Sequence, residues 1–232
     1  MKTSRSFTLL ALMMVFAVSC TKPDEPNLVS GNYNGYDYVD LGLPSGTLWA
    51  VCNIGADTPE GYGKYFAWGE TQSKDYYYWS TYKYCSGEGR ITLTKYCCDS
   101  VYGYNGYTDN LTVLLPEDDA AKVNWGNGWR MPTKEEWQEL NNNTTSIWTT
   151  QSGVNGRLFT ASNGNSLFLP AAGRCWCNEF DNAGCDGFFL SSSLDMRDPS
   201  CAWYFGFNSN YHAVDGQYRI GGFNVRPVCS EK

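Results

Sequence analysis

The chain has 232 residues, 42% hydrophobic and 16% aromatic, with 17 basic against 24 acidic residues and a formal charge of −7. Such an acidic balance lacks the clustered Lys and Arg that phosphate backbones require, which argues against nucleic acid and against electrostatic docking on anionic lipid. The length suits one domain with a full core.

The chain opens with Lys2 and Arg5, then an apolar run over residues 7–18, closing Ala17-Val18-Ser19-Cys20. This order describes a secretion signal over residues 1–19, too short to span a bilayer. A Cys directly after the small residue resembles the lipobox of bacterial lipoproteins. That likeness implies an acyl group such as palmitate on Cys20, with the protein anchored in the outer membrane and facing the exterior. Loss of Lys2 and Arg5 leaves 15 of the 17 basic residues against 24 acids, a mature charge of −9. Residues 20–34, which include Pro23, Asp24, Glu25, Pro26 and Asn27, read as a flexible tether, and residues 35–230 as a single domain.

Residues 36–41 alternate as a strand, residues 42–46 carry turn chemistry, and residues 47–54 form a second strand, giving a hairpin at the domain entrance. Residues 61–107 hold Tyr62, 65, 76, 77, 78, 82, 84, 96, 102, 104 and 107 of the seventeen tyrosines, with few aliphatics. They read as long ordered loops over the core, each ring buried and each hydroxyl wet, with a sugar-stacking platform as the sharper alternative. Pro116 then opens a short helix whose first turn carries Glu117, Asp118 and Asp119.

At residues 124–140 a glycine-loosened loop turns into an amphipathic helix. Thr133 and Glu136 stand at capping-box spacing, Pro132 keeps Met131 extended, and Trp137 and Leu140 share a core-facing side. Asn155-Gly156 and Asn163-Gly164 are hairpin signals, with residues 158–161 and 166–169 pairing around the second. Residues 173–187 read as a loop, 188–190 and 202–207 as core strands, and 191–200 and 208–216 as polar loops. The closing strand places Phe223 and Val225 on one face.

The nine cysteines after Cys20 are odd in number, and export permits one to three disulfides of unknown pairing. With His212 the single histidine, a nucleophilic triad has one candidate base, and it sits in a polar loop as a solvated side chain. No phosphate-cradling or dinucleotide fingerprint is present. No cofactor or metal is expected.

Several blocks occur in order: Tyr38-Val39-Asp40-Leu41-Gly42-Leu43-Pro44-Ser45-Gly46-Thr47-Leu48-Trp49-Ala50, Tyr65-Phe66-Ala67-Trp68-Gly69-Glu70 and Gly128-Trp129-Arg130-Met131-Pro132-Thr133-Lys134-Glu135-Glu136-Trp137. Leu169-Pro170-Ala171-Ala172-Gly173-Arg174, Ser191-Ser192-Ser193 and Val225-Arg226-Pro227-Val228 follow. Over about residues 36–229 the chain resembles the major-paralogous-domain (FISUMP) family of bacterial surface lipoproteins. That family is similar to the formylglycine-generating-enzyme branch of the C-type-lectin-like fold. The resemblance implies an α+β domain with a small twisted antiparallel sheet, two short helices and long loops. The enzyme of that branch needs two cysteines just before its terminal Gly-Phe strand, and residues 213–222 hold none, so no activity carries over.

Function is therefore expected in the loops beyond Gly173. Trp176, Asp181, Asp186, Asp195, Arg197, Asn208, Asn210, Tyr211, His212 and Asp215 are the candidate ligand-binding residues, rings for area and polar tips for direction. The expected partner is a glycan or protein at the cell surface, with contact to membrane through the anchor alone. The alternatives are an adhesive or structural part of a surface filament, a C-terminal segment diversified by retroelements, and, further off, an enzyme.

Overall fold

The computed structural model describes residues 29–126 and 128–230. The leader, Cys20 and most of the tether lie outside the described residues. What is described is an α+β domain built mainly from antiparallel strands, with two short α-helices. Among these residues no helix is long and apolar enough to cross a membrane.

The entrance hairpin forms as expected. Strands β1 (Gly31–Tyr33), β2 (Tyr36–Asp40) and β3 (Thr47–Ala50) form one antiparallel sheet. Residues 31–33 of the stretch assigned to the tether thus belong to the fold, since Gly31 pairs with Tyr38 and Tyr33 with Tyr36.

Residues 61–107 contain no extended strand, only short turns, as their composition suggests. Helix α1 (Ala120–Trp125) follows, with Asp119 rather than Pro116 at its start; the Asp119 carboxylate accepts from the Ala121 and Lys122 N–H groups. Pro116–Asp118 is a single 3₁₀ turn ahead of it.

Helix α2 (Lys134–Asn143) is capped as its sequence requires. The Glu136 N–H donates to Thr133 Oγ1 at 3.2 Å, and the Thr133 N–H donates back to Glu136 Oε2 at 2.8 Å. Arg130 reaches the same carboxylate at 2.7 and 2.5 Å, tying the incoming loop to the first turn. Trp137 and Leu140 are fully buried.

Strands β4 (Thr144–Gln151), β5 (Val154–Ala161) and β6 (Ser166–Pro170) form a meander. The Asn163-Gly164 turn is where expected, with Phe159 opposite Leu167. Asn155-Gly156 is not a turn but part of β5. The turn lies at Ser152-Gly153, whose φ values of 48° and 84° suit a tight hairpin. Gly156 is there for space, because a Cβ would lie 2.4 Å from the Leu169 carbonyl oxygen. Strand β4 had no signal strong enough to separate it from a polar linker.

Residues 173–187, read as a loop, contain a small hairpin of β7 (Arg174–Trp176) and β8 (Glu179–Asp181). Strand β9 (Gly187–Leu194) runs through the buried serines 191–193, and Ser191 Oγ donates to the Trp203 carbonyl at 2.7 Å. Strand β10 (Cys201–Phe207) and strand β11 (His212–Tyr218) complete a three-stranded sheet in the order β11-β10-β9, so much of the second polar loop is also strand. Strand β12 (Val228–Ser230) returns to pair with β3.

The β9–β10 wall separates two cores. One face carries Phe189, Phe205 and Phe207 against Trp137, Leu140, Phe159 and Leu167. The other carries Leu190, Leu194, Ala202 and Tyr204 against Phe66, Trp68, Tyr77, Trp79, Tyr82 and Tyr96. The tyrosine-rich segment therefore builds a core of rings. Its inner hydroxyls are not wet: Tyr82 donates to the Trp68 carbonyl at 2.8 Å and Tyr77 to that of Tyr65 at 2.6 Å.

In the closing segment Phe223 and Val225 do share that core, yet Asn224 and Arg226 are equally buried. Arg226 meets the Ala50 and Val51 carbonyls and Asn53 Oδ1. Burial pulls its guanidinium below its ordinary value, to about 10, so it stays charged at neutral pH. The nine described cysteines are all free, against the expectation of disulfides.

Candidate functional site

The ten residues picked from the sequence do not form one site. The structure sorts them into three places.

The first is the turn between β10 and β11. Asn208 Oδ1 accepts from the Asn210 N–H at 2.9 Å, and the Asn208 N–H donates to the Tyr211 carbonyl at 2.8 Å. Arg157 donates to the Asn208 carbonyl at 2.8 Å. The Asn208 amide therefore builds the turn instead of presenting itself, while Asn210 and Tyr211 are exposed. His212 is not a solvated loop residue. It opens β11, with Nδ1 2.6 Å from Asn141 Oδ1 on α2 and Nε2 3.5 Å from Ser146 Oγ on β4. Burial, then Arg157, holds its pKa below the usual imidazole value. It is a clamp between three elements.

The second place is the bend before β10. Asp195 is buried and accepts from Arg197 through the backbone N–H at 3.0 Å, Nε at 2.9 Å and Nη2 at 2.7 Å. Burial alone would raise the Asp195 carboxyl, but these bonds from Arg197 hold it below the usual range. The guanidinium lies 4.4 Å from the Trp203 ring centroid. Gly216 passes so close that a Cβ would stand 2.7 Å from Asp195 Oδ2. Asp195 and Arg197 are thus spent on each other.

The third place is the cleft between the β7–β8 hairpin and β11. Arg174 pairs with Asp181 and Trp176 with Glu179 across the hairpin, so strand alternation puts all four on one face and Cys175 on the other. Cys175 joins the ring core, which fixes the orientation of the hairpin. Opposite stand Gln217 and Tyr218 at the end of β11. Arg174, Trp176, Gln217 and Tyr218 line a cleft of about 240 Å³. The Trp176 and Tyr218 rings lie 6.4 Å apart, and Trp79 supports Tyr218 from behind at 6.0 Å.

The Arg174 guanidinium lies 5.7 Å from the Trp176 centroid and 5.3 Å from that of Phe188. Its Nε is buried with no hydrogen-bond partner, and its ion pair with Asp181 is long at 4.0 Å. No carboxylate closes on the guanidinium, which leaves its terminal N–H donors for a ligand. On the sheet, Tyr204 pairs with Asp215 and Gly206 with Phe188, which brings Phe188, Tyr204 and Asp215 to the same face as Arg174. Of the ten candidates, Trp176, Asp181 and Asp215 belong to this surface, with Asp186 at its edge just before β9. Burial, then Asp215, pushes the Tyr204 phenol up to about 12.

Sequence reasoning missed Arg174, Gln217 and Tyr218. Arg174 stands in the sequence only as part of a motif. Its signal is the alternation that sets it with Trp176 on one face of the hairpin, visible once the register is known.

The other clefts offer less. Beside α1, the Asp119 carboxylate is occupied by the Met131, Ala121 and Lys122 N–H groups, and Arg130 by Glu136. Beside β2, the Tyr36 and Trp125 faces cover each other at 3.7 Å. A shallow groove at the end of α2 has no ring. Asp118 is buried against Lys83, Lys95 and the Tyr96 hydroxyl. Among the described residues no group of three or more His, Cys, Asp or Glu could hold a metal ion. Comparison with protein-family models, with curated proteins and with solved structures finds no match for this chain.

Proposed function

We propose that this is a lipid-anchored bacterial surface protein whose single domain, lectin-like and related to the FISUMP family, binds a glycan without catalysis. The cleft carries the reading. Trp176 and Tyr218 offer ring faces to the C–H face of a sugar, while Arg174, Asp181 and Gln217 stand beside them as donors and acceptors for hydroxyls. Two groups that could serve acid–base chemistry are committed elsewhere: the one histidine is bound to Asn141, and Asp195 is closed by Arg197. Cys175, on the far face of the hairpin, does not offer a nucleophile to the cleft, since it packs in the ring core and burial pushes its thiol up to about 11.

A glycan array followed by calorimetry tests the proposal. Trp176→Ala should weaken the best hit by about 30-fold, the cost of an anchoring aromatic worth about 2 kcal/mol. Tyr211→Ala, in the neighbouring turn, should leave it unchanged. A protein that binds no glycan on the array sinks the reading, and equal binding by the Trp176 variant moves the site elsewhere.

A further inference from the structure

We infer that the cleft takes a neutral, linear glycan along its chain, over several consecutive sugars, and not a single terminal residue. This rests on the glycan-binding reading above and adds what the surroundings of the cleft select.

Phe188, the Arg174 plate, Trp176 and Tyr218 follow one another at 5.3, 5.7 and 6.4 Å. These steps are comparable with the rise of one pyranose along a chain. All four side chains are half-buried, so they form a floor, and nothing among the lining residues closes either end into a pocket.

Beside Trp176 the floor has a continuation. The antiparallel bridge of Tyr77 to Cys177 lays residues 76–78 alongside the end of the Trp176 strand. Tyr77 turns into the core, whereas Tyr76 and Tyr78 are 42% and 38% exposed with ring centroids 6.2 Å apart. Most tyrosines of that segment are consumed by the ring core, and these two are not.

Charge decides the ligand class. Arg174 is accompanied on its face by Asp181 and Glu179 from the hairpin and by Asp215 from β11. A carboxylated or sulfated sugar would meet more negative than positive charge there. A polyhydroxylated neutral chain meets no such penalty, and its hydroxyls find acceptors in Asp181 and Gln217 and donors in Arg174 and Gln217.

The test is calorimetric titration of the full chain with neutral gluco-, manno- and xylo-oligosaccharides of increasing length, from the single sugar upward, and with a uronic-acid series. Affinity should rise about tenfold or more between the single sugar and the longest chain in at least one neutral series. The double variant Tyr76→Ala/Tyr78→Ala, folded by circular dichroism, should lose the gain with length yet bind the single sugar as before. Trp176→Ala should lose both. A single sugar bound as tightly as the longest chain overturns the extended track while leaving the glycan site standing. A length gain untouched by the double variant overturns its placement, tighter binding of the uronic-acid series overturns the charge argument, and no binding in any series overturns the glycan reading itself.

Discussion

The two faces of the β9–β10 wall are filled by different means. On the α2 side, regular strands supply alternating apolar side chains, and Trp137 stacks on Phe205 with centroids 5.0 Å apart and planes 6° apart. Backbone polar groups there are paired within the sheets, so the side chains need only fill space. On the other side the chain is irregular over residues 61–107, and outside isolated bridges such as Phe66–Phe223 and Tyr77–Cys177 its carbonyls lack strand partners. The side chains answer both needs. Trp68 Nε1 donates to the Ser191 carbonyl at 2.9 Å, Tyr82 to that of Trp68, and Asn224 to that of Tyr62 at 2.7 Å. Arg219, buried between Trp68 and Tyr82, donates to the Tyr96 and Lys95 carbonyls at 2.8 Å each. An aromatic with a polar tip serves as core filler and backbone partner at once. That is why an irregular segment this rich in Tyr still packs.

The contrast can be broken by substitution, beginning where the effect is greatest. Trp137→Ala removes the central ring of the strand-side core and should cost about 3–5 kcal/mol in denaturant unfolding. An unchanged melting temperature would contradict the placement of that core. Arg219→Met keeps the bulk but abandons two carbonyls, and should cost about 3 kcal/mol at roughly 1.5 per charged hydrogen bond. Hydrogen exchange sharpens the point: the lost protection should concentrate in residues 77–107, and a uniform loss would mean the two cores are not separable.

Asp118→Asn should cost about 2 kcal/mol, less than a fully buried pair because Lys83 is half-exposed. Burial would raise the Asp118 carboxyl, but hydrogen bonds led by that from Lys95 hold it well below the usual carboxylate range. The folded state therefore binds fewer protons than the unfolded one. Its contribution is complete above about pH 4 and is lost as pH falls through that value and below. The stability gap between wild type and variant should close on acidification, and a gap that widens would refute the assignment. The smallest effect belongs to Tyr82→Phe, which deletes one hydroxyl and should cost about 1 kcal/mol, read as a shift in denaturation midpoint.

How much of this was legible depends on range. The Thr133–Glu136 capping box, the Asn163-Gly164 turn and the entrance hairpin are local devices, each complete within a few residues, and each stands where its pattern placed it. Asn155-Gly156 carried the same turn signal and is strand instead. Its glycine answers Leu169 and Phe168 on the neighbouring strand, a demand that no local pattern expresses. Serines 191–193 look like loop and lie buried in β9, because their polar groups meet partners such as the Trp203 carbonyl, far along the chain.

The candidate site divides the same way. Trp176 was visible as a loop aromatic among polar residues, and so were Asp181 and Asp215. Asp195, Asn208 and His212 looked identical in composition, and only their partners, Arg197, Arg157 and Asn141, remove them from the surface. By itself the sequence determined the entrance hairpin, the capped helix and the acidic, ring-rich chemistry. The tertiary structure decided which rings became core and which stayed open, because the partners of the buried hydroxyls, such as the Trp68 carbonyl for Tyr82 and Asp118 for Tyr96, are brought up by the fold.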